Sequence, residues 1–164
     1  MNPMRDRLKA GKTVVGTAGS VFEDNMVMLA DSGLDFILFD TQHSPIEPKE
    51  YKRSFDAIKG KSATPIMRVS ANRAELICFA LDLGARGIIV PMVNTKEEAT
   101  AMVRACQYSP LGDRSNAGVR GEWGDFGESN YRDYLDTVNE ELLIIPMIET
   151  QQAIDNIDEI LSVP

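Results

Sequence analysis

The chain has 164 residues, 43 % of them hydrophobic, and a formal net charge of −8 at pH 7. That length favours one domain with a real core, and the acidic balance with scattered Lys and Arg argues against a nucleic-acid-binding stripe or an anionic-membrane surface. The two cysteines, Cys78 and Cys106, share no close spacing with each other or with His43, so there is no zinc pattern and a buried free thiol is the expectation for each.

Residues 1–12 are polar and charged, without the apolar core of a signal peptide, and no apolar run approaches the ~18 residues of a membrane span. With two sparse cysteines this reads as a cytoplasmic protein. From Thr13 onward, short β-rich runs alternate with amphipathic stretches. Strands are expected over 13–19, 36–41, 64–69, 87–93 and 142–149, and helices over 23–32, 48–60, 72–83, 95–107, 131–140 and 150–162. Gly87-Ile88-Ile89-Val90-Pro91-Met92-Val93 is almost continuously apolar, as in strands of a parallel sheet covered by helices. Asn94-Thr95 before Lys96-Glu97-Glu98 fits a polar N-cap with first-turn carboxylates. Asn72, with Glu75 three residues on, fits a cap for the third helix. Gly33 and Gly84 fall just past helix ends, where a left-handed residue is wanted.

Residues 108–130 break this rhythm. Gly112, Gly118, Gly121, Gly124 and Gly127, with Trp123 and Phe126 among them, mark a long Gly-rich loop: a surface excursion, an active-site cover or a subunit contact. Two folds suit five parallel strands, an open doubly wound sheet or most of a barrel. The nucleotide signals of the open sheet are missing. Gly11-Lys12-Thr13 resembles the tail of a phosphate loop, but Asp6 stands where that motif needs glycine, and the tripeptide precedes a strand instead of following one.

In a barrel the chemistry sits where strands end. Strand two ends Phe39-Asp40-Thr41-Gln42-His43, strand three Met67-Arg68-Val69, and strand five Met147-Ile148-Glu149. His43, the one histidine, reads as a general acid/base whose ring Asp40 could orient, or as a loop histidine with Asp40 capping the next segment. The guanidinium of Arg68 needs an anion, either a protein carboxylate or a substrate carboxylate. Glu149 is either ion-paired or a ligand for a hard divalent cation. Asp82 reads as helix-end decoration or a salt-bridge partner.

Together the stretches Leu8-Lys9-Ala10-Gly11, Phe39-Asp40-Thr41-Gln42-His43-Ser44-Pro45, Pro65-Ile66-Met67-Arg68-Val69, 83–93, 108–114 and Met147-Ile148-Glu149-Thr150 resemble the HpcH/HpaI family of class II pyruvate and oxaloacetate aldolases, in family order over essentially the whole chain. The resemblance implies an α/β fold, the (β/α)₈ TIM barrel, with Mg²⁺, Mn²⁺ or Co²⁺ as cofactor and assembly as a homo-oligomer. It makes Glu149 one of two metal carboxylates, Arg68 the contact to the 2-oxo acid and its developing enolate, and His43 with Asp40 the acid/base pair. Gln42 is placed with the substrate-binding residues. It stands where many relatives carry Glu; Met147 replaces a polar residue of some relatives, and Tyr108-Ser109-Pro110 stands for a Tyr-Pro-Pro pattern.

A full barrel needs about 250 residues. The expectation is therefore one domain over 1–164 holding five β/α units of an incomplete, C-terminally truncated barrel, without the second metal carboxylate. The implied activity is an aldehyde-lyase that reversibly cleaves 4-hydroxy-2-oxo acids to pyruvate and an aldehyde, inactive in the 164-residue chain alone. The partners implied are a small 2-oxo acid and an aldehyde, with no nucleic acid and no membrane. The alternatives are a non-catalytic module that binds a 2-oxo acid or oligomerises, and a citrate-lyase-like enzyme acting on acyl-CoA.

Overall fold

A computed structural model of the chain describes residues 2–116 and 131–164. Five strands, β1 (Gly16–Ala18), β2 (Phe36–Asp40), β3 (Thr64–Arg68), β4 (Gly87–Val90) and β5 (Leu143–Pro146), form one sheet in the order β1-β2-β3-β4-β5, and every pairing is parallel. A doubly wound sheet reverses its strand order at a switch point, whereas a barrel adds each strand beside the last. The strictly sequential order is that of five β/α units of a (β/α)₈ barrel.

The crossovers are α2 (Glu23–Ala30), α3 (Lys52–Ile58), α4 (Ala74–Asp82) and α5 (Lys96–Cys106), followed by α6 (Tyr131–Glu141) before β5. A 3₁₀ turn, Pro48–Tyr51, leads into α3. The final helical stretch is α7 (Gln151–Asp155) and α8 (Ile157–Leu161), interrupted at Asn156. The Gly-rich positions Gly118, Gly121, Gly124 and Gly127, with Trp123 and Phe126, lie outside the described residues.

Alternation along β2 shows how the layers form. Ile37 and Phe39 are fully buried in the core between sheet and helices, while Phe36, Leu38 and Asp40 on the other face are half-buried. Phe39 packs against Tyr51 and Phe55, with ring centroids 5.1 and 4.4 Å apart; such contacts add to the area that aromatic rings bury. The opposite face is layered by register. Ala18, Leu38, Ile66, Gly87 and Leu143 are successive partners across all five strands. One layer toward the C-terminal ends, Asp40, Arg68, Ile89 and Ile145 are partners in turn. Gly87 is required by this packing, since a Cβ there would lie 2.5 Å from Ile66 Cγ2.

The glycines expected just past helix ends do adopt the left-handed region, Gly33 at φ +88° and Gly84 at φ +110°. Thr95 caps α5, its hydroxyl accepting from the Glu98 N–H at 3.2 Å. Asn72 does not cap α4. Its amide instead donates to the Glu98 carbonyl at 3.0 Å, and Arg73, without a side-chain cap, takes the N-cap position. An element that the polar N-terminus concealed is α1 (Pro3–Lys9). Asn2, completely buried, caps it and also donates to the carbonyls of Arg86 at 2.9 Å and Glu141 at 2.8 Å. No helix of the described residues is long and apolar enough to cross a membrane.

Candidate active site

Asp40 and Arg68 are the last residues of β2 and β3 and direct partners in the parallel ladder. Their side chains emerge on the same face and meet as a fork: Arg68 Nε donates to Asp40 Oδ1 at 2.8 Å, and Nη2 to Oδ2 at 2.6 Å. Bidentate geometry fixes the guanidinium plane as well as its position. The loop after β2 completes the mount. The Gln42 N–H donates to Asp40 Oδ1 at 3.0 Å, and the Thr41 N–H and hydroxyl both donate to the Arg68 carbonyl, at 3.0 and 2.8 Å. From below, the hydroxyl of buried Tyr51 donates to the Asp40 carbonyl at 3.1 Å.

Electrostatics follow from this geometry. The Arg68 guanidinium, aided by the N–H groups of Gln42 and His43, holds the Asp40 carboxyl below the usual carboxylate range. The guanidinium of Arg68 is raised in turn, first by its hydrogen bond to Asp40 and more weakly by the charge of Glu149. Asp40 is therefore an anion at neutral pH and holds Arg68 in place. The expected pairing of Asp40 with the His43 ring takes a different form here: the carboxylate is engaged by Arg68, and only the backbone of His43 reaches it. The His43 side chain is exposed at the start of the loop, and its ring makes no hydrogen bond among the described residues. Gln42 is half-buried beside it, with its Oε1 atom buried and without a donor among the described residues.

Glu149 lies in the loop between β5 and α7, three residues past the strand end at Pro146. It is exposed, and its Oε1 accepts the Met92 N–H at 2.8 Å. Met92, in the loop after β4, has φ +57° and is the one non-glycine residue with positive φ among the described residues. Nothing in the residue types signalled that conformation or the Met92–Glu149 contact. The structure thus gathers Asp40, Arg68 and Glu149 at the C-terminal side of one sheet, as a barrel site requires.

As a ligand for a hard divalent cation, Glu149 fits in donor chemistry, since such ions take carboxylate oxygens. The described residues do not complete a ligand set: none of them form a group of three or more His, Cys, Asp or Glu side chains able to hold a metal. Asp40 is committed to Arg68, so of these two strand-end carboxylates among the described residues Glu149 is the one left for a metal.

Asp82 belongs elsewhere. It forms an ion pair with the buried Arg114, whose Nη2 lies 3.1 Å from Oδ1, and Arg114 also stacks over the Tyr108 ring at 4.5 Å. This anchors residues 108–114 on the helical layer. The expected salt-bridge role of Asp82 is the one observed.

The family model for HpcH/HpaI aldolase/citrate lyase matches residues 22–164. The chain is 33 % identical to the hydroxypyruvate/pyruvate aldolase of Roseobacter denitrificans over 99 % of its own length and 63 % of that protein. It is 31 % identical to the 2-keto-3-deoxy-L-rhamnonate aldolase of Escherichia coli K12 over 99 % of its own length and 60 % of that protein. A crystal structure of an HpcH/HpaI aldolase/citrate lyase family protein from Burkholderia cenocepacia J2315 superposes with a TM-score of 0.87 at 28 % identity, covering all of this chain and 66 % of the other. The chain therefore spans 60–63 % of the length of these curated relatives. With its five sequential β/α units and its Asp40–Arg68 fork at the strand ends, the chain belongs to the HpcH/HpaI aldolase/citrate lyase family.

Proposed function

We propose that this chain carries the 2-oxo-acid-binding part of a divalent-metal-dependent aldolase, which reversibly cleaves a 4-hydroxy-2-oxo acid to pyruvate and an aldehyde. The observation that carries the reading is the Arg68 fork. Asp40 engages Nε and Nη2, and Nη1 makes no hydrogen bond among the described residues, while a fifth of the side chain remains exposed. A fixed cation with one donor to spare suits an oxygen whose negative charge grows during reaction.

In the cleavage direction, His43 takes the proton of the C4 hydroxyl as the C3–C4 bond breaks. The bonding pair moves into C2–C3 and the C2 oxygen becomes an enolate oxygen, which Arg68 stabilises. The aldehyde departs, and protonation at C3 gives pyruvate. Asp40 moves no proton; it keeps Arg68 aligned. Gln42, half-buried beside this face, is the further residue assigned to substrate binding. Mg²⁺, Mn²⁺ or Co²⁺ held in part by Glu149 would supply Lewis acidity toward the 2-oxo acid. The shared family also supports a homo-oligomeric, cytoplasmic assembly as part of this reading.

The test is ligand-observed NMR of pyruvate in D₂O with Mn²⁺ or Mg²⁺. Metal-dependent pyruvate binding that Arg68→Ala and Glu149→Gln both abolish supports the site. Exchange of the methyl protons for deuterium adds catalysis by the chain itself; binding without exchange makes it a 2-oxo-acid-binding module. Binding of an acyl-CoA but no pyruvate would replace the aldolase reading with the acyl-CoA lyase.

A further inference from the structure

We infer that Asn94 is a positioning residue for Glu149 and acts on it through the backbone of Met92. This deepens the proposed function and rests on its reading of Glu149 as a metal-binding carboxylate.

The left-handed backbone of Met92 is what turns its N–H toward Glu149 Oε1. L-residues avoid that region because Cβ crowds the following carbonyl, so a methionine there must be held by its surroundings. Burial of the side chain does not hold it, for Met92 is 53 % exposed. Asn94 does. Its Nδ2 donates to the Met92 carbonyl at 2.7 Å. Its Oδ1 accepts from the Thr150 hydroxyl, and Thr150 is the neighbour of Glu149. Its own main chain is fixed at both groups: the N–H donates to Glu98 Oε2 at 2.7 Å, and the carbonyl accepts from Asn156 Nδ2 at 2.9 Å.

Glu149 is therefore held at two points. Its carboxylate is held by Met92, its backbone by Thr150, and both holds run through one side-chain amide. Without them an exposed glutamate would sample several rotamers, and a ligand that must first be ordered binds less tightly.

The test uses ¹⁵N NMR of the full chain, with Mn²⁺ affinity read from relaxation of assigned amides. In the parent, Glu149→Gln moves the residue-92 amide proton upfield, which identifies its acceptor. Asn94→Ala is expected to move it upfield too and to weaken Mn²⁺ binding about fivefold, the fold-change of a net hydrogen bond of about 1 kcal/mol. Met92→Val, which keeps Asn94 but cannot comfortably hold positive φ, should reproduce both effects. Met92→Gly in the Asn94→Ala background should restore Mn²⁺ affinity to within about twofold, because glycine adopts this backbone without steric cost. A purely structural asparagine would lower the thermal midpoint, leave the residue-92 amide and Mn²⁺ affinity unmoved, and gain nothing from the glycine; that result overturns the inference. If the amide behaves as expected while the parent binds no Mn²⁺, the positioning stands and the metal-dependent reading of the site fails.

Discussion

Arg68 and Asp40 are hydrogen-bonded across adjacent strands as direct register partners, with contacts of 2.6 and 2.8 Å. Lysine in place of the arginine would keep the charge but present one ammonium instead of a planar fork. Arg68→Lys is expected to cost about 1–2 kcal/mol of stability, a modest figure because both side chains are a fifth to a quarter exposed and solvent screens the pair. Urea denaturation reads that loss. Pyruvate affinity should fall by more than stability does, since the spare Nη1 donor disappears as well.

The same pair sets an acid limit. The folded-state value of Asp40 lies below its ordinary 3.8, so its contribution is fully present above the ordinary carboxylate range and is lost as pH falls through the folded value. The urea midpoint should drop on acidification below about pH 4. Asp40→Asn should be less stable than the parent at pH 7, and the difference should shrink toward about pH 3. A constant gap across that range would show that the carboxylate charge is not what stabilises the fork.

Much of the fold was legible because it rests on local rules. The apolar runs at 36–41, 64–69 and 87–93 located three strands to within a few residues at each end, and the polar groups ending them located Asp40 and Arg68. What escaped depends on contacts distant in sequence. Whether Asp40 faces His43 or Arg68 is decided by the β2–β3 register, and an i, i+3 spacing cannot show that. The left-handed Met92 is stabilised by Asn94, Thr150 and Asn156, residues from two loops and a helix junction. The polar start of the chain hid α1, although Asn2-Pro3 is a readable signal: a capping side chain followed by proline at the first helical position.

Asn2 gives that helix an energetic role. Its amide reaches the carbonyls of Arg86 and Glu141, which precede β4 and β5, and its Oδ1 accepts the Arg5 N–H at 3.3 Å. Asn2→Ala removes the cap and the long-range bonds to Arg86, Glu141 and Thr64 at a completely buried position. The expected loss is about 2–3 kcal/mol, more than a surface cap alone contributes. Thermal unfolding compared with Arg5→Ala, which leaves the side chain of Asn2 in place, separates this plug from mere fraying of the N-terminal turn.

Gly87 tests the layered face of the sheet. The space a Cβ would need is occupied by Ile66 Cγ2 at 2.5 Å, with Leu143 Cβ at 3.4 Å. Gly87→Ala should destabilise by about 1–3 kcal/mol through overpacking. Ile66→Ala in the same chain should recover part of that loss, because it vacates the contested volume. If the two changes are simply additive, the inner layer is not packed as described.

The thiols report on the helical layer independently of the site. Cys106 is fully buried on α5, and burial pushes its thiol up to about 12. At pH 8 about one molecule in ten thousand carries that thiolate, and access is blocked as well. Cys78 on α4 is half-buried, with its Sγ 3.8 Å from Asp82 Oδ2. In the native chain an aromatic disulfide reagent should therefore titrate one thiol promptly, and Cys78→Ser should abolish that reaction. The second thiol should react at the rate of unfolding and become fast in urea. Prompt reaction of both thiols in the native chain would mean that α5 does not close over the sheet as the Met102 and Cys106 positions require.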